Sequence, residues 1–376
     1  MILTFLTLLG FIGILGELFL IGLWINARRK TKKETYQPYS PSTSIIIPCK
    51  GTDHGFQENV QAFLSQRYDP YRIIFVMDTK EDPAYEVVTR LIHDKSFAQI
   101  ALTKPIPGCS GKIAALLTGL EYTDDATVLV FADSDMKPET HWLEHLVLPL
   151  QDESIGVATG YRWYFSTNWK TLLISAWNLA PIVFMFYPNY TFTWGGSTAI
   201  RKTLFTTLDI KTKWKTAFSD DLVVTTTIKK AGYTIHLQPK CIMESPPETK
   251  IRTFLRWGTR QYTWVRWFYP LFWFGSFIGF IGIQIAIILG ILLLLFGYYL
   301  PGIVLSSILL FEMFYGWVGI RTMQQTMVYP KERYAATIGY ALVTPAVFFL
   351  IALNVFASLF KREIVWAGRT YRKSKD

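Results

Sequence analysis

The hydrophobic positions of this chain fall into two kinds of run. Ile2 to Trp24 is almost uncharged, with Glu17 the lone exception, and three further apolar runs follow at Phe272–Phe296, Pro301–Ile320 and Ala335–Phe360. Runs of roughly 20 residues are long enough to cross a bilayer. The zone between them alternates short β-branched runs with stretches of helical spacing. "SIIIP", "RIIFVMD" and "TVLVFAD" are continuously apolar, which predicts strands buried on both faces. "HGFQENVQAFLSQ", "DPAYEVVTRLIHDKS" and "KIAALLTGLEYT" predict helices, and "SIGVATGYRWYF" and "YTIHLQP" predict later strands. This rhythm predicts an α/β fold with an open, mostly parallel sheet and helices on both faces.

The pattern divides the chain into an anchor (1–26), a mixed catalytic domain (40–250), an amphipathic segment (251–270), a membrane region of about three apolar segments (271–361) and a basic tail (362–376). The first run lacks the basic leader and cleavage site of a signal peptide, which makes it an uncleaved anchor. "NARRKTKK" follows it, and the positive-inside preference then puts the domain on the cytoplasmic face of an integral, multi-pass protein. The same preference leaves a conflict. Three more crossings carry the tail "KREIVWAGRTYRKSKD" outside although it is strongly basic, unless one apolar run is re-entrant or interfacial.

Charge and composition narrow the function. The net charge of +10 sits mostly beside apolar runs, which points to anionic lipid headgroups and away from nucleic acid. Three scattered cysteines show neither a disulfide framework nor zinc spacing, and the five histidines form no triad. Glu312 is nearly the only acid in the last zone, and spans without buried charge pairs argue against transport.

The chemistry gathers at strand ends. Asp133 and Asp135, one residue apart after "LVFA", can aim two carboxylates at one Mg²⁺ or Mn²⁺ that also holds a diphosphate, or can form a solvated turn. Asp78 ends another strand and can accept from a nucleobase; Asp82 can do the same or cap "PAYEVV". In "FSDDLVV", Asp220 reads as a helix cap and Asp221 as a general base turned inward, or the two acids simply complement the helix dipole. Lys112 sits where a Gly/Ser loop meets a helix and suits phosphate contact, although no Walker A pattern is present. Gly195 and Gly196 in "GGSTAIRK" permit close approach or form an ordinary turn, Arg256 can meet a diphosphate, and Trp257 can stack on a sugar or anchor in the interface.

Taken in order, "IIIPCKG", "MDTKEDPAY", "GKIAALL", "FADSDMKP", "GGSTAIRK", "SDDLVVTTTIKKAGY", "FLRW" and "IVWAGRTY" resemble the inverting glycosyltransferases of family 2. The resemblance is closest to the ceramide glucosyltransferase group. It implies a GT-A fold, a UDP-sugar donor and a lipid acceptor. It places Pro48, Lys50, Asp78, Asp82 and Lys112 at the nucleotide, Asp133 and Asp135 on the metal, and Asp221 as base. Arg256 and Trp257 match the end of that family's (Q/R)-x-x-R-W motif, with Thr253 in place of its leading residue. A second register begins at Arg260. Gly195, Gly196, Asp220 and Trp257 fall on the acceptor side. The implied reaction moves a sugar, glucose above all, onto a hydroxyl of a ceramide-like, diacylglycerol or hopanoid-type lipid to give a β-glycolipid. A processive polysaccharide synthase and a non-catalytic membrane scaffold are the competing readings.

Overall fold

The computed structural model describes residues 1–31, 36–53, 55–123, 125–245, 250–366 and 369–372. Its central sheet has seven strands: β1 (Thr43–Cys49), β2 (Tyr71–Met77), β3 (Ala98–Leu102), β4 (Val128–Ala132), β5 (Ile155–Trp163), β6 (Ser197–Arg201) and β7 (Thr234–Glu244). They lie in the order β3-β2-β1-β4-β6-β5-β7. Only β6 runs against the others, pairing antiparallel with β4 and β5. The expected GT-A arrangement, a mostly parallel sheet with helices on both faces and apolar helices at each end of the chain, is therefore present. β3 and β6 were not legible in the sequence. β3 is half-exposed at the sheet edge, and β6 lies inside "GGSTAIRK", which resembled a turn.

The continuous apolar runs are explained by cover on both faces. Ile45, Ile47, Phe75 and Val130 point into one core layer, Ile46, Ile74, Val76, Leu129 and Phe131 into the other. Helix Gly111–Gly119 fills the second layer. The first layer continues without a break through helices Trp169–Trp177 and Leu179–Met185 to Trp24, Tyr315 and Tyr340 of the apolar helices. One face of the sheet is thereby fastened to the apolar helices by burial of side chains rather than by a linker alone.

Four helices are long and apolar enough to cross a membrane: Ile2–Thr31, Pro270–Leu295, Tyr299–Thr326 and Thr337–Leu359. An 18-residue helix, Ile251–Phe268, leads into the second of them. Ile2–Thr31 runs beside Tyr299–Thr326 in the same direction, with Gly10 against Val304, Gly13 against Ile308 and Gly319 against Trp24. Pro270–Leu295 runs against it, with Gly290 facing Leu305 and Gly302 facing Leu294. Small residues let these backbones approach closely.

That packing brings two acids inside the apolar helices. Glu17 and Glu312 are both fully buried, and Gln284 donates to Glu312 Oε1 at 2.7 Å. Each acid reads as isolated within its own run, and only the helix register brings them level.

Gly160 shows how tightly the sheet is drawn around a bulge between β5 and β7. A Cβ at Gly160 would overlap the Cys241 carbonyl oxygen, a backbone atom that cannot rotate away. Gly160→Ala is expected to cost about 1–3 kcal/mol, as overpacking does. Thermal unfolding in detergent checks it, and an unchanged Tm would rule out this close approach.

Candidate functional site

The carboxyl edge of the parallel strands collects the polar side chains, as the chain reversal after each strand requires. Lys50 follows β1, Asp78 follows β2 and Asp133 follows β4. Lys50 Nζ and Asp78 Oδ2 lie 3.7 Å apart with both side chains well exposed, so each remains open to a ligand. Pro48 lies in β1 beyond the Thr43–Ile46 pairing with β4, a position suited to a nitrogen with no hydrogen to donate. Asp82 is already occupied. It caps helix Pro83–Ile92, accepting from Ala84 N at 2.9 Å, and accepts from Gly51 N at 2.9 and 3.1 Å. Of the two acids in that motif, Asp78 is the one directed outward.

Lys112 is the centre of the constellation. Helix Gly111–Gly119 begins at Ser110, whose Oγ accepts from Ile113 N, and this fixes Lys112 in the first turn. Its Nζ lies 2.7 Å from Asp133 Oδ1 and 3.3 Å from Asp220 Oδ2, and donates to Gly195 O at 3.3 Å. Burial alone would lower the ammonium pKa; Asp133, Asp220 and Asp221 outweigh it and hold the group above its ordinary value. For Asp220 the balance goes the other way. Burial pushes its carboxyl up to about 6 against the pull of Lys112, with Asp221 and Asp133 adding to the rise.

The expectation that Asp220 caps its helix is corrected. Ser219 is the cap of Asp220–Lys230, and Asp220 turns inward with only 5% of its surface exposed. Asp221 is partly exposed. Its Oδ1 accepts from Ser219 Oγ and from Leu222 N at 2.8 Å, and Thr193 Oγ1 donates to its carbonyl at 2.6 Å. The hydrogen bonds fixing this carboxylate use Oδ1. Tyr269 stands nearby: its hydroxyl is buried without a partner among the described residues, and burial and Asp221 push it up to about 12.

Gly195 and Gly196 make room for this crowd. A Cβ on Gly195 would come within 2.5 Å of Asp220 Oδ2 and 2.8 Å of Lys112 Nζ, and one on Gly196 would overlap the Trp194 ring. Their visible task is to bring β6 beside the end of β4, where Gly196 O accepts from Asp133 N at 3.4 Å.

Asp135 carries the clearest opening for a cation. Its Oδ1 is buried with no hydrogen-bond partner among the described residues. Burial raises its pKa, Arg162 opposes, and Asp133 and Asp53 add to the rise. A buried acceptor without a donor is rare enough to need a cause. Mg²⁺ and Mn²⁺ take one or two protein carboxylates together with substrate phosphates, so Asp133 and Asp135 fit such an ion without a larger protein cage. Among the described residues there is no group of three or more His, Cys, Asp or Glu side chains that could hold a metal.

Sequence reasoning missed Arg162. It lies late in β5 with its guanidinium 5.0 Å above the Trp194 ring, and it donates to Tyr164 Oη at 3.3 Å. The available signal was a single charge inside the buried run "SIGVATGYRWYF". The amphipathic helix also turns differently from the preferred register. Arg256 is exposed, and Trp257 packs against Trp177 at 4.9 Å and Phe254 at 5.7 Å. Arg260 instead faces the domain, its guanidinium desolvated and held below its ordinary value by burial and by Arg162.

Replacing Lys112 leaves three carboxylates without their internal cation. Lys112→Met is expected to lower Tm by several degrees in EDTA and by less with Mn²⁺ present, because a bound cation offsets the same repulsion. Equal losses in the two buffers would separate Lys112 from the cation site.

A profile of Glycosyl transferase family 21 matches residues 6–376. The chain is 27% identical over 239 residues to the probable glycosyltransferase YdaM of Bacillus subtilis (strain 168), covering 60% of this chain and 55% of that protein. It is 24% identical over 144 residues to ceramide glucosyltransferase 1 of Caenorhabditis elegans, covering 36% and 31%. The chain thus spans about half the length of the first relative and less of the second. A mannosyltransferase from Pyrobaculum calidifontis, solved in complex with GDP-Man and Mn²⁺, superposes with a TM-score of 0.49 at 14% identity, covering 94% of this chain and 97% of that one. The profile runs through the whole acidic constellation and the apolar helices on either side of it, and the chain belongs to glycosyl transferase family 21, the ceramide glucosyltransferase family.

Proposed function

We propose that the protein transfers a sugar, glucose from UDP-glucose foremost, to a hydroxyl of a lipid acceptor with inversion at the anomeric carbon, giving a β-glycolipid. The observation that carries this reading is the Lys112 cluster with Asp133, Asp220 and Gly195, Asp221 beside it, at the edge of a sheet whose core layer continues into the apolar helices. A general base beside the entrance to the membrane region serves an acceptor that never leaves the lipid. Family membership and the likeness to a ceramide glucosyltransferase support the acceptor class.

The residues divide the work by charge. Lys50 and Asp78, exposed at adjacent strand ends, meet the nucleoside. A divalent cation on Asp133 and Asp135 would offset the charge that develops on the departing diphosphate. Lys112 and Arg162, both half-buried and both cationic, act on the carboxylates of that site, Lys112 by its ion pair with Asp133, and add positive potential behind the leaving group. Asp221 removes the proton from the acceptor hydroxyl through Oδ2, while Ser219 and the Leu222 amide keep Oδ1 fixed. The oxygen then attacks from the face opposite the diphosphate, so an α-linked donor gives a β-linked product.

Radiolabel from a UDP-sugar is expected to enter organic-extractable lipid, and EDTA is expected to abolish the transfer. Asp221→Asn should lose at least about a hundredfold in rate, the scale of general-base catalysis, while still gaining thermal stability from UDP with Mn²⁺. A fully active Asp221→Asn removes its role as base. Polymeric product that stays out of the lipid phase would overturn the acceptor.

A further inference from the structure

The basic tail has no consistent place if Thr337–Leu359 crosses the bilayer. Lys361 and Arg362 would then leave the face that carries Arg28, Arg29 and Lys30. The contacts at the two ends of this helix remove the conflict. Just before its start, Arg333 forks onto Glu244 at the end of β7, at 2.9 and 2.6 Å. Within its first turn, Tyr340 bonds Ser175 at 2.7 Å and stacks on Trp163 of β5 at 6.5 Å. At the other end, Thr259 donates to Asn354 at 3.2 Å, and Arg266 donates to the carbonyls of Leu359 and Lys361. Both ends therefore dock on the catalytic domain or on the helix Ile251–Phe268 that rests on it.

Two further features agree. Gly258 meets Asn354 and Arg266 meets Leu359, so Thr337–Leu359 lies beside the amphipathic helix and runs the same way. Its partners on the spanning helices sit in their domain-side halves: Trp273 and Phe280 early in Pro270–Leu295, Tyr315 late in Tyr299–Thr326. On the side away from the protein, Ile338, Leu342, Phe349, Leu353, Phe356 and Phe360 form one exposed stripe, each at least 44% exposed. Their spacing of three, four and seven keeps them on a single helix face.

We infer that Thr337–Leu359 does not cross the membrane but lies within the leaflet on the catalytic side, its apolar stripe against lipid acyl chains. This rests on the membrane placement given above for the acceptor. Three helices then cross, the loop at Lys331 and the tail share the catalytic face, and all the basic clusters lie on one side. The short hairpin Glu363–Trp366 and Arg369–Arg372 consequently returns to the site: Ile364 packs with Trp267, Trp264 and Phe218, the residue just before the Ser219 cap.

Single cysteines at Gly297, Lys331 and Arg362 test this in sealed vesicles of both orientations with a membrane-impermeant maleimide. The three native cysteines are buried and give low background. Lys331→Cys and Arg362→Cys are expected to label from the same side, and Gly297→Cys from the other, with each signal lost in the opposite orientation until detergent is added. Arg362→Cys labelling with Gly297→Cys would overturn the in-plane helix while leaving the membrane reading intact. Gly297→Cys and Lys331→Cys labelling from one side would overturn the membrane placement and the inference with it. Nitroxides at Leu342, Phe349 and Leu353 are expected to report one constant depth; a profile that passes through the bilayer centre overturns the proposal independently.

Discussion

The structure depends on one buried ammonium. Lys112 stands between Asp133 and Asp220 with Asp221 close by, and without it three carboxylates, one just after β4 and two in the first turn of helix Asp220–Lys230, would repel one another. Like charges in a low-dielectric setting are expensive, and a paired lysine converts that cost into a fixed geometry. The surrounding features serve the same contact. Ser110 starts the helix that presents Lys112, and Gly195 clears the space between it and Asp220. β6 runs against its neighbours so that the Gly195–Gly196 corner falls beside the end of β4.

The second organising feature is direction. Six strands point the same way, so their carboxyl ends share one edge, and that edge continues through β7 into Ile251–Phe268 and the apolar helices. The sheet and membrane region share a core layer from Ile45 through Trp177 to Tyr315. Rigid attachment of this kind fixes the position of the acidic site relative to the apolar helices. For the lipid acceptor proposed above, such a fixed position lowers the entropic demand of bringing its hydroxyl to the site.

Most of the acids could be found from the chain because strand ends announce themselves. A β-branched run that stops at an aspartate, as at Met77 and Ala132, marks both the element and the edge on which the acid lies. Roles were harder to read. Asp82 and Asp78 are four residues apart in one motif, yet one is consumed by backbone amides and the other is open. Asp220 and Asp221 are adjacent, and the cap fell to Ser219, whose hydroxyl no spacing rule favours over the acid that follows. In the amphipathic helix, one turn separates Arg256 from Arg260, and only its docking shows which faces Arg162.

The sequence by itself determined the kinds of element, the order of the motifs and the family, because hydrophobic period, turn residues and local spacing act over a few neighbours along the chain. Tertiary structure decided what meets across the chain: Lys112 with acids more than twenty and more than a hundred residues away, Arg162 beneath the metal candidates, Glu17 level with Glu312. It also decided the orientation of Thr337–Leu359. Length and hydropathy are the same for a helix that crosses a bilayer and one that lies in it, and only the partners at its two ends distinguish them. Those partners are fixed by packing over long separations, which no local pattern in the sequence encodes.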